Sequence, residues 1–217
     1  MKRIGSALLA TSLIFPTQVI NAADTSAASK SQYETALAAL NKLPVKGRAA
    51  KTGYSREQFP HWKDPDKNGC DTRNDILKRD LTKVVFKADT NNCKVISGSL
   101  LDPYSNKLIS FDLSKSASTI DIDHVVAKSN AWQTGAFQLT LTQRTNFAND
   151  PLNLLAVDAK LNRQKGDSDA ATWLPPYKSY RCTYVARQIS VKSKYKLWVT
   201  PPEKAAISKL LDGCISN

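Results

Sequence analysis

Histidine is almost missing from this chain: there are two in 217 residues, His61 and His124. Any imidazole chemistry must run through one or both. Cysteine is scarce too, with four residues and no C-x-x-C pair, which argues against a thiolate zinc site. Acidic residues are short, 19 against 31 basic ones. No run approaches the roughly 20 apolar residues that a bilayer-spanning helix needs. No internal repeat and no linker between two domains can be found, so a single α+β domain is expected.

What is present begins with an export signal. Lys2 and Arg3 form a charged start, residues 8–15 a short apolar core, and Asn21-Ala22-Ala23 a cleavage site of small residues. Residues 1–23 are therefore read as a signal peptide and residues 24–32 as a flexible polar leader. About 194 residues remain, enough for one well-buried core. Their net charge of about +10 suits nucleic acid, anionic lipid or acidic cell-wall polymer. The expected location is exported, either secreted or periplasmic, and the expected state is a monomer.

In an oxidising compartment the four cysteines imply two disulfides. Three pairings are open, and neighbour pairing, Cys70–Cys93 and Cys182–Cys214, is preferred. Residues 180–195 carry Val185 and Ile189 at helical spacing. Thr200-Pro201-Pro202-Glu203 is a capping box with proline at the first helical position. Ile207, Leu210 and Leu211 then share one face, and Gly213 is expected to stop the helix. Cys182 and Cys214 lie symmetrically about Trp198. A helical hairpin there brings the two thiols together.

Elsewhere Tyr33, Leu37 and Leu40 predict a short amphipathic helix, and residues 82–86 and 93–96 predict strands around the turn at 89–92. Residues 64–75 follow the opening of a calcium loop, but Pro65 and Cys70 are awkward within one, so a polar turn is preferred. His61 is read as a packing or surface residue, and Trp132 and Trp173 are assigned to packing. The lysines of residues 192–196 are assigned to a solvated helix end.

The chemistry concentrates between residues 118 and 167. Residues 118–127 read as a strand around Asp121-Ile122-Asp123-His124. Alternation puts both aspartates on one face and His124 on the other, so a bend or bulge is expected near 123–124. Residues 152–157 read as a second strand, and residues 158–165 as a short helix ended by Gly166. Asn153 and Asn162 follow His124 by 29 and 38 positions. A histidine base beside a carboxylate, with a later amide oxygen, suits metal-assisted phosphodiester cleavage.

Asp123-His124, Asn153 and Asn162-Arg163-Gln164-Lys165-Gly166-Asp167 resemble the HNH nuclease motif, with asparagine in its last position. The HNH module of the CRISPR effector nuclease has the same order. The chain is more similar still to the secreted HNH family related to the nuclease part of GmrSD-type restriction enzymes. That likeness includes Gly69-Cys70-Asp71-Thr72-Arg73-Asn74, Asp102-Pro103-Tyr104, Ala131-Trp132, residues 147–154 and Trp173-Leu174-Pro175-Pro176.

The resemblance implies a ββα-metal core at about 118–167 within a nuclease domain at 33–217. It implies one divalent ion, magnesium or alternatively manganese, held by Asp123 and Asn162. His124 becomes the general base and Asn153 the residue that orients it. Arg163 and Lys165 become candidates for phosphate contacts. Arg73 is either a transition-state arginine or an ion-pair partner of Asp71 or Asp75. The implied substrate is nucleic acid, DNA before RNA, cut with low sequence specificity. A non-catalytic cationic binding protein is the alternative.

Overall fold

The computed structural model describes residues 22–115 and 119–216. The expected signal peptide, residues 1–23, lies outside this range except for Ala22 and Ala23. Helix α1 spans Ala22–Lys42. It includes residues 24–32, which the sequence analysis takes for a flexible leader. That run holds no proline or glycine, the two residues least favourable inside a helix, so the helix can run through it.

The next elements form a layer around the first disulfide. Helix α2, Thr72–Asp80, starts at Asp71, whose side chain accepts from the Asn74 backbone N–H. Strands β1 (Thr82–Phe86), β2 (Val95–Leu101) and β3 (Leu108–Asp112) make an antiparallel sheet in that order. The β1–β2 turn places Asp89, Asn91 and Asn92 at positive φ, a conformation that aspartate and asparagine tolerate best among side-chain-bearing residues. Cys70 and Cys93 are bonded across this layer.

The central motif is two strands followed directly by a helix. Strand β4 (Ile120–His124) pairs antiparallel with β5 (Leu154–Asp158). Between them lie α3 (Lys128–Gln133) and α4 (Leu141–Asn149). Helix α4 is opened by a complete Thr140–Gln143 capping box. Helix α5, Ala159–Lys165, leaves β5 without a loop. The Asp158 carboxylate accepts from the Lys160 and Leu161 N–H groups, and Gly166 at φ 54° ends the helix. The register runs unbroken from Ile120↔Asp158 to His124↔Leu154, so the expected bulge at 123–124 is absent.

Helices α6 (Arg181–Lys194) and α7 (Pro201–Ser216) form the expected hairpin, and both pack on α1. Thr200 and Glu203 exchange the hydrogen bonds of the capping box. Two expectations for this region fail. Helix α7 continues through Gly213 to Ser216, because the Cys182–Cys214 bond holds the last turn against α6. Lys192 is buried and not solvated: its ammonium lies 2.6 Å and 2.7 Å from the two oxygens of buried Glu203. A lysine stays charged in such a place only beside a carboxylate.

Three apolar clusters hold the fold. One joins Leu40, Tyr184, Ile189, Ile207 and Leu211 of the helices to Val125 and Val157. Another packs Ile76 and Leu77 of α2 between the two sheets, against Leu100, Phe111, Ile120 and Leu154. The third surrounds Phe59, Trp132 and Phe147. The β4–β5 pair is thus covered on both faces. Near its C-terminal end, β4 opens to a polar pocket.

The Cys182–Cys214 crosslink closes a loop across 32 residues. In the chain-entropy account such a bond is worth about 3–4 kcal/mol. The Cys182→Ala/Cys214→Ala double variant should therefore lose about that much stability in urea unfolding. An unchanged midpoint would show that the bond adds nothing to the hairpin.

Candidate active site

Asp121, Asp123, His124 and Asn162 border one pocket of about 730 Å³ together with Lys51, Tyr54, Arg56, His61, Trp62 and Lys128. No bulge is needed to gather residues from both faces of β4. The strand is paired on one edge only, and the chain leaves the sheet directly after His124.

His124 is buried, and its Nε2–H donates to the Ala148 carbonyl at 2.9 Å. A carbonyl can only accept, so the neutral ring carries its proton on Nε2 and a lone pair on Nδ1. Nδ1 makes no hydrogen bond to the described residues, and it is not among the buried orphaned atoms. Burial is the main reason that the imidazole is pushed down to about 3, followed by repulsion from Lys128; the Ala148 hydrogen bond opposes both. The ring is therefore unprotonated at neutral pH, with one nitrogen fixed and the other available.

Asn153, expected to orient His124 through its backbone or second ring nitrogen, makes its hydrogen bonds to the main chain that follows His124. Its Oδ1 accepts from the Val126 N–H at 2.9 Å, and its own carbonyl accepts from the Val125 N–H at 2.8 Å. It clamps the backbone just after His124. The ring itself is held by the main chain at the end of α4, a contact that no side-chain pattern encodes.

Asp123 is deeply placed. Its Oδ1 accepts from the Lys165 ammonium at 2.9 Å and its Oδ2 from the Tyr104 hydroxyl at 2.6 Å. Lys165 also donates to the His124 carbonyl at 2.9 Å. Its side chain is 0% exposed, which removes it from the candidate phosphate contacts. It is the counter-ion of Asp123. Each carboxylate oxygen still has a second lone pair, so Asp123 keeps the capacity to bind an ion while Lys165 and Tyr104 orient it.

Asn162, on α5, donates through Nδ2 to Asp121 Oδ2 at 3.2 Å. That bond directs the amide nitrogen at the carboxylate and leaves Oδ1 as the uncommitted atom. Arg163 is 63% exposed, with Nη1 4.0 Å from Asp121, an outer position compatible with the expected phosphate contact. Arg73 lies at the start of α2 and outside the residues that line the pocket. Burial holds its guanidinium below the ordinary value, against the attraction of Asp121 and then Asp71. Asp121 and Asp71 act on it through space, and no ion pair within 4.0 Å joins it to Asp71 or Asp75 among the described residues.

Several pocket residues were not foreseen. Asp121 stands two residues before Asp123, a spacing that could have marked it. Lys128 stands four residues after His124, and Tyr104, behind the pocket wall, reaches Asp123 from 19 residues away. His61, read as a packing or surface residue, and Trp62 form part of the wall: ring centroids lie 6.4 Å and 6.2 Å from His124. Trp62 holds φ at 57°, unusual for so bulky a residue. The calcium-like run folds as a polar turn, with Asp64 accepting from the Asn68 and Gly69 N–H groups. Among the described residues, no group of three or more His, Cys, Asp and Glu side chains is arranged to hold a metal.

The family model for the GmrSD restriction endonucleases, C-terminal domain, matches residues 71–210. The chain belongs to this family. The matched span contains the whole strand–strand–helix motif and one cysteine of each disulfide, Cys93 and Cys182. An uncharacterized secreted protein of Arthroderma benhamiae is 42% identical over 182 residues, which cover 83% of this chain and 85% of the relative. No solved structure matches. Among the described residues, no helix is long and apolar enough to cross a membrane. Family membership thus supports a nuclease-related function.

Two outcomes follow from the geometry. Lys165→Met should leave the Asp123 charge buried and uncompensated, costing about 3–5 kcal/mol in denaturant unfolding. Arg163→Met, at an exposed position, should change stability by less than about 0.5 kcal/mol. Equal effects would place Lys165 outside the core. Separately, His124 has an unfolded value of about 6.5 and a folded value of about 3. Between these the unfolded chain binds the extra proton, so stability is complete above about pH 6.5 and declines toward pH 3. Thermal midpoints measured from pH 7 to 4 should fall more steeply for the wild type than for His124→Ala. Parallel curves would mean that His124 titrates normally in the fold.

Proposed function

We propose that this protein is an exported, metal-dependent endonuclease of the HNH type, with the β4–β5–α5 motif as its ββα-metal core. It hydrolyses phosphodiester bonds of nucleic acid, DNA in the first place and RNA in the second, with low sequence specificity. The observation that carries the reading is the His124 ring, fixed through Nε2 by the Ala148 carbonyl at 2.9 Å with Nδ1 left to the pocket. A histidine used only for packing has no need of a free, unprotonated nitrogen in a pocket lined by two carboxylates and an amide.

The donor set fits a hard divalent ion that keeps several of its waters. Asp123 offers a carboxylate, Asn162 an uncommitted amide oxygen, and Asp121 a further carboxylate within reach of Asn162. There is no thiolate in the pocket, and oxygen ligands favour magnesium or manganese. Asp123 and Asn162 would hold the ion. Bound there, it would supply Lewis-acid stabilisation of a phosphate oxygen and of the departing 3′ oxygen.

The residues of the chain supply the rest. His124 Nδ1 accepts a proton from the attacking water as the water oxygen bonds to phosphorus. The bond to the 3′ oxygen breaks, that oxygen takes a proton from solvent water and His124 gives its own back to solvent, leaving a 5′-phosphate and a 3′-hydroxyl. The Ala148 carbonyl steadies the imidazolium formed in this step, because a donor that gains charge makes a stronger hydrogen bond. Asn153 acts as a positioning residue by fixing the backbone at residues 125 and 126. Tyr104 and Lys165 keep the Asp123 carboxylate in place.

The mature protein should nick and then linearise supercoiled plasmid in magnesium. Chelator should silence it, and His124→Ala should lower the rate by about 10²–10⁴-fold, the usual range for a general base. A variant that cuts as fast as the wild type would remove His124 from catalysis. Plasmid retention without cleavage, weakened by salt and indifferent to chelator, would favour a cationic binding protein.

A further inference from the structure

The cations of the pocket differ in whether a carboxylate faces them. Of the cations that line it, Lys51 pairs with Asp167 at 2.9 Å and Arg163 lies 4.0 Å from Asp121, while Arg56 and Lys128 have no such partner among the described residues. Lys128, the first residue of α3, borders the same pocket and is partly buried. No carboxylate lies within ion-pair distance of it among the described residues. Its ammonium has one hydrogen-bond partner there, Nδ1 of His61 at 3.3 Å. Three N–H bonds meet one acceptor, so two donors remain unspent on a pocket wall close to the proposed general base.

His61 makes a suitable support. Its Nδ1 also lies 3.2 Å from the Phe59 carbonyl. A single ring nitrogen either donates to that carbonyl or accepts from the ammonium. In both states most of the donor capacity of Lys128 points elsewhere. The His61 ring is braced by Trp62, with centroids 4.9 Å apart.

We propose that Lys128 is a further catalytic residue, whose ammonium, steadied by His61, donates to a non-bridging oxygen of the phosphate placed before His124. This rests on the phosphodiesterase reading of the pocket. The contact would put positive charge where negative charge grows in the transition state.

The charge state of Lys128 adds a pH signature. Burial, followed by repulsion from Arg56, brings the ammonium down to about 8, with Glu57 opposing. The groups facing it are Arg56, Glu57, His61 and His124. The charged form prevails below about pH 8 and is lost above it. The rate constant kcat/KM reports ionisations of the free enzyme, so it should fall as pH rises, to roughly a tenth of its plateau by pH 9.

The test compares wild type, Lys128→Ala and Lys128→Arg in magnesium from pH 6.5 to 9.5. It adds binding of a short fluorescein-labelled single-stranded oligonucleotide in chelator. Lys128→Ala should lower kcat/KM about 10²-fold with an unchanged thermal midpoint. Lys128→Arg should keep most of the activity and lose the decline between pH 8 and 9, since a guanidinium stays charged. In chelator, Lys128→Ala should bind more weakly, with a salt dependence shallower by about one phosphate contact. Wild-type kcat/KM in Lys128→Ala, or an alkaline decline that persists in Lys128→Arg, would overturn the assignment. If the wild type cuts no nucleic acid, the nuclease reading fails by itself. Binding then decides the anion contact: weaker binding by Lys128→Ala sustains it, and equal binding ends it.

Discussion

The Asp123 carboxylate, buried between Lys165 and Tyr104, is the constraint around which the centre is arranged. An ionised carboxylate in a sealed position is costly unless it is both paired and hydrogen-bonded. Here both oxygens are engaged, at 2.9 Å by an ammonium and at 2.6 Å by a phenol. The partners come from different places: Lys165 from the last turn of α5, Tyr104 from the turn between β2 and β3. Satisfying one charge therefore fixes a strand, a helix and a turn relative to each other. Lys165 extends the arrangement by bonding the His124 carbonyl. Backbone bonds to Asn153 grip the next two residues, and Ala148 grips the ring. His124 is thus held at three levels by groups that are themselves locked by packing.

The same arrangement sorts charge across the pocket. Asp121, Asp123 and Asn162 gather where β4 meets α5, while Arg56, His61 and Lys128 belong to the segments that pack beside α3. A diester phosphate carries negative charge yet must approach negative side chains. On the proposed reading, cations on both sides of His124 make that approach favourable. Asp121 is shared between Asn162 and Arg163, which keeps part of its charge satisfied before any substrate arrives.

The local signals in the sequence were legible and the remote ones were not. Strand, excursion, strand and helix between residues 118 and 165 follow from β-branched runs, an aspartate cap and a terminal glycine. The hairpin of α6 and α7 follows from Thr200, Glu203 and the symmetry of two cysteines. Each depends on residues a few positions apart, where propensity and capping act. Lys165 and Lys192 were misplaced because a lysine side chain shows only its charge. Whether it meets water or a buried acid depends on a partner 42 or 11 residues away. The Ala148 carbonyl left no trace at all, since every residue presents the same backbone acceptor. Gly213 misled in the opposite sense: the glycine signal was genuine, but a disulfide one residue later outweighs a helix penalty of about 1 kcal/mol.

On the proposed reading of His124 as general base, its depressed basicity has a chemical cost that the pocket must offset. A base pushed down to about 3 is ready at any neutral pH, but it draws a proton weakly. Transfer from water then becomes feasible only if the imidazolium is stabilised as it forms, or if the water is made more acidic. The Ala148 carbonyl serves the first need, because it already accepts from Nε2. The second calls for positive charge near the attacking oxygen and the phosphate. Burial therefore does two things at once in this site. It weakens His124 as a base, and it strengthens every electrostatic interaction around it by excluding water. The depth that lowers the imidazole value also sharpens the neighbouring charges that would compensate for it, which accounts for a base placed so far from solvent.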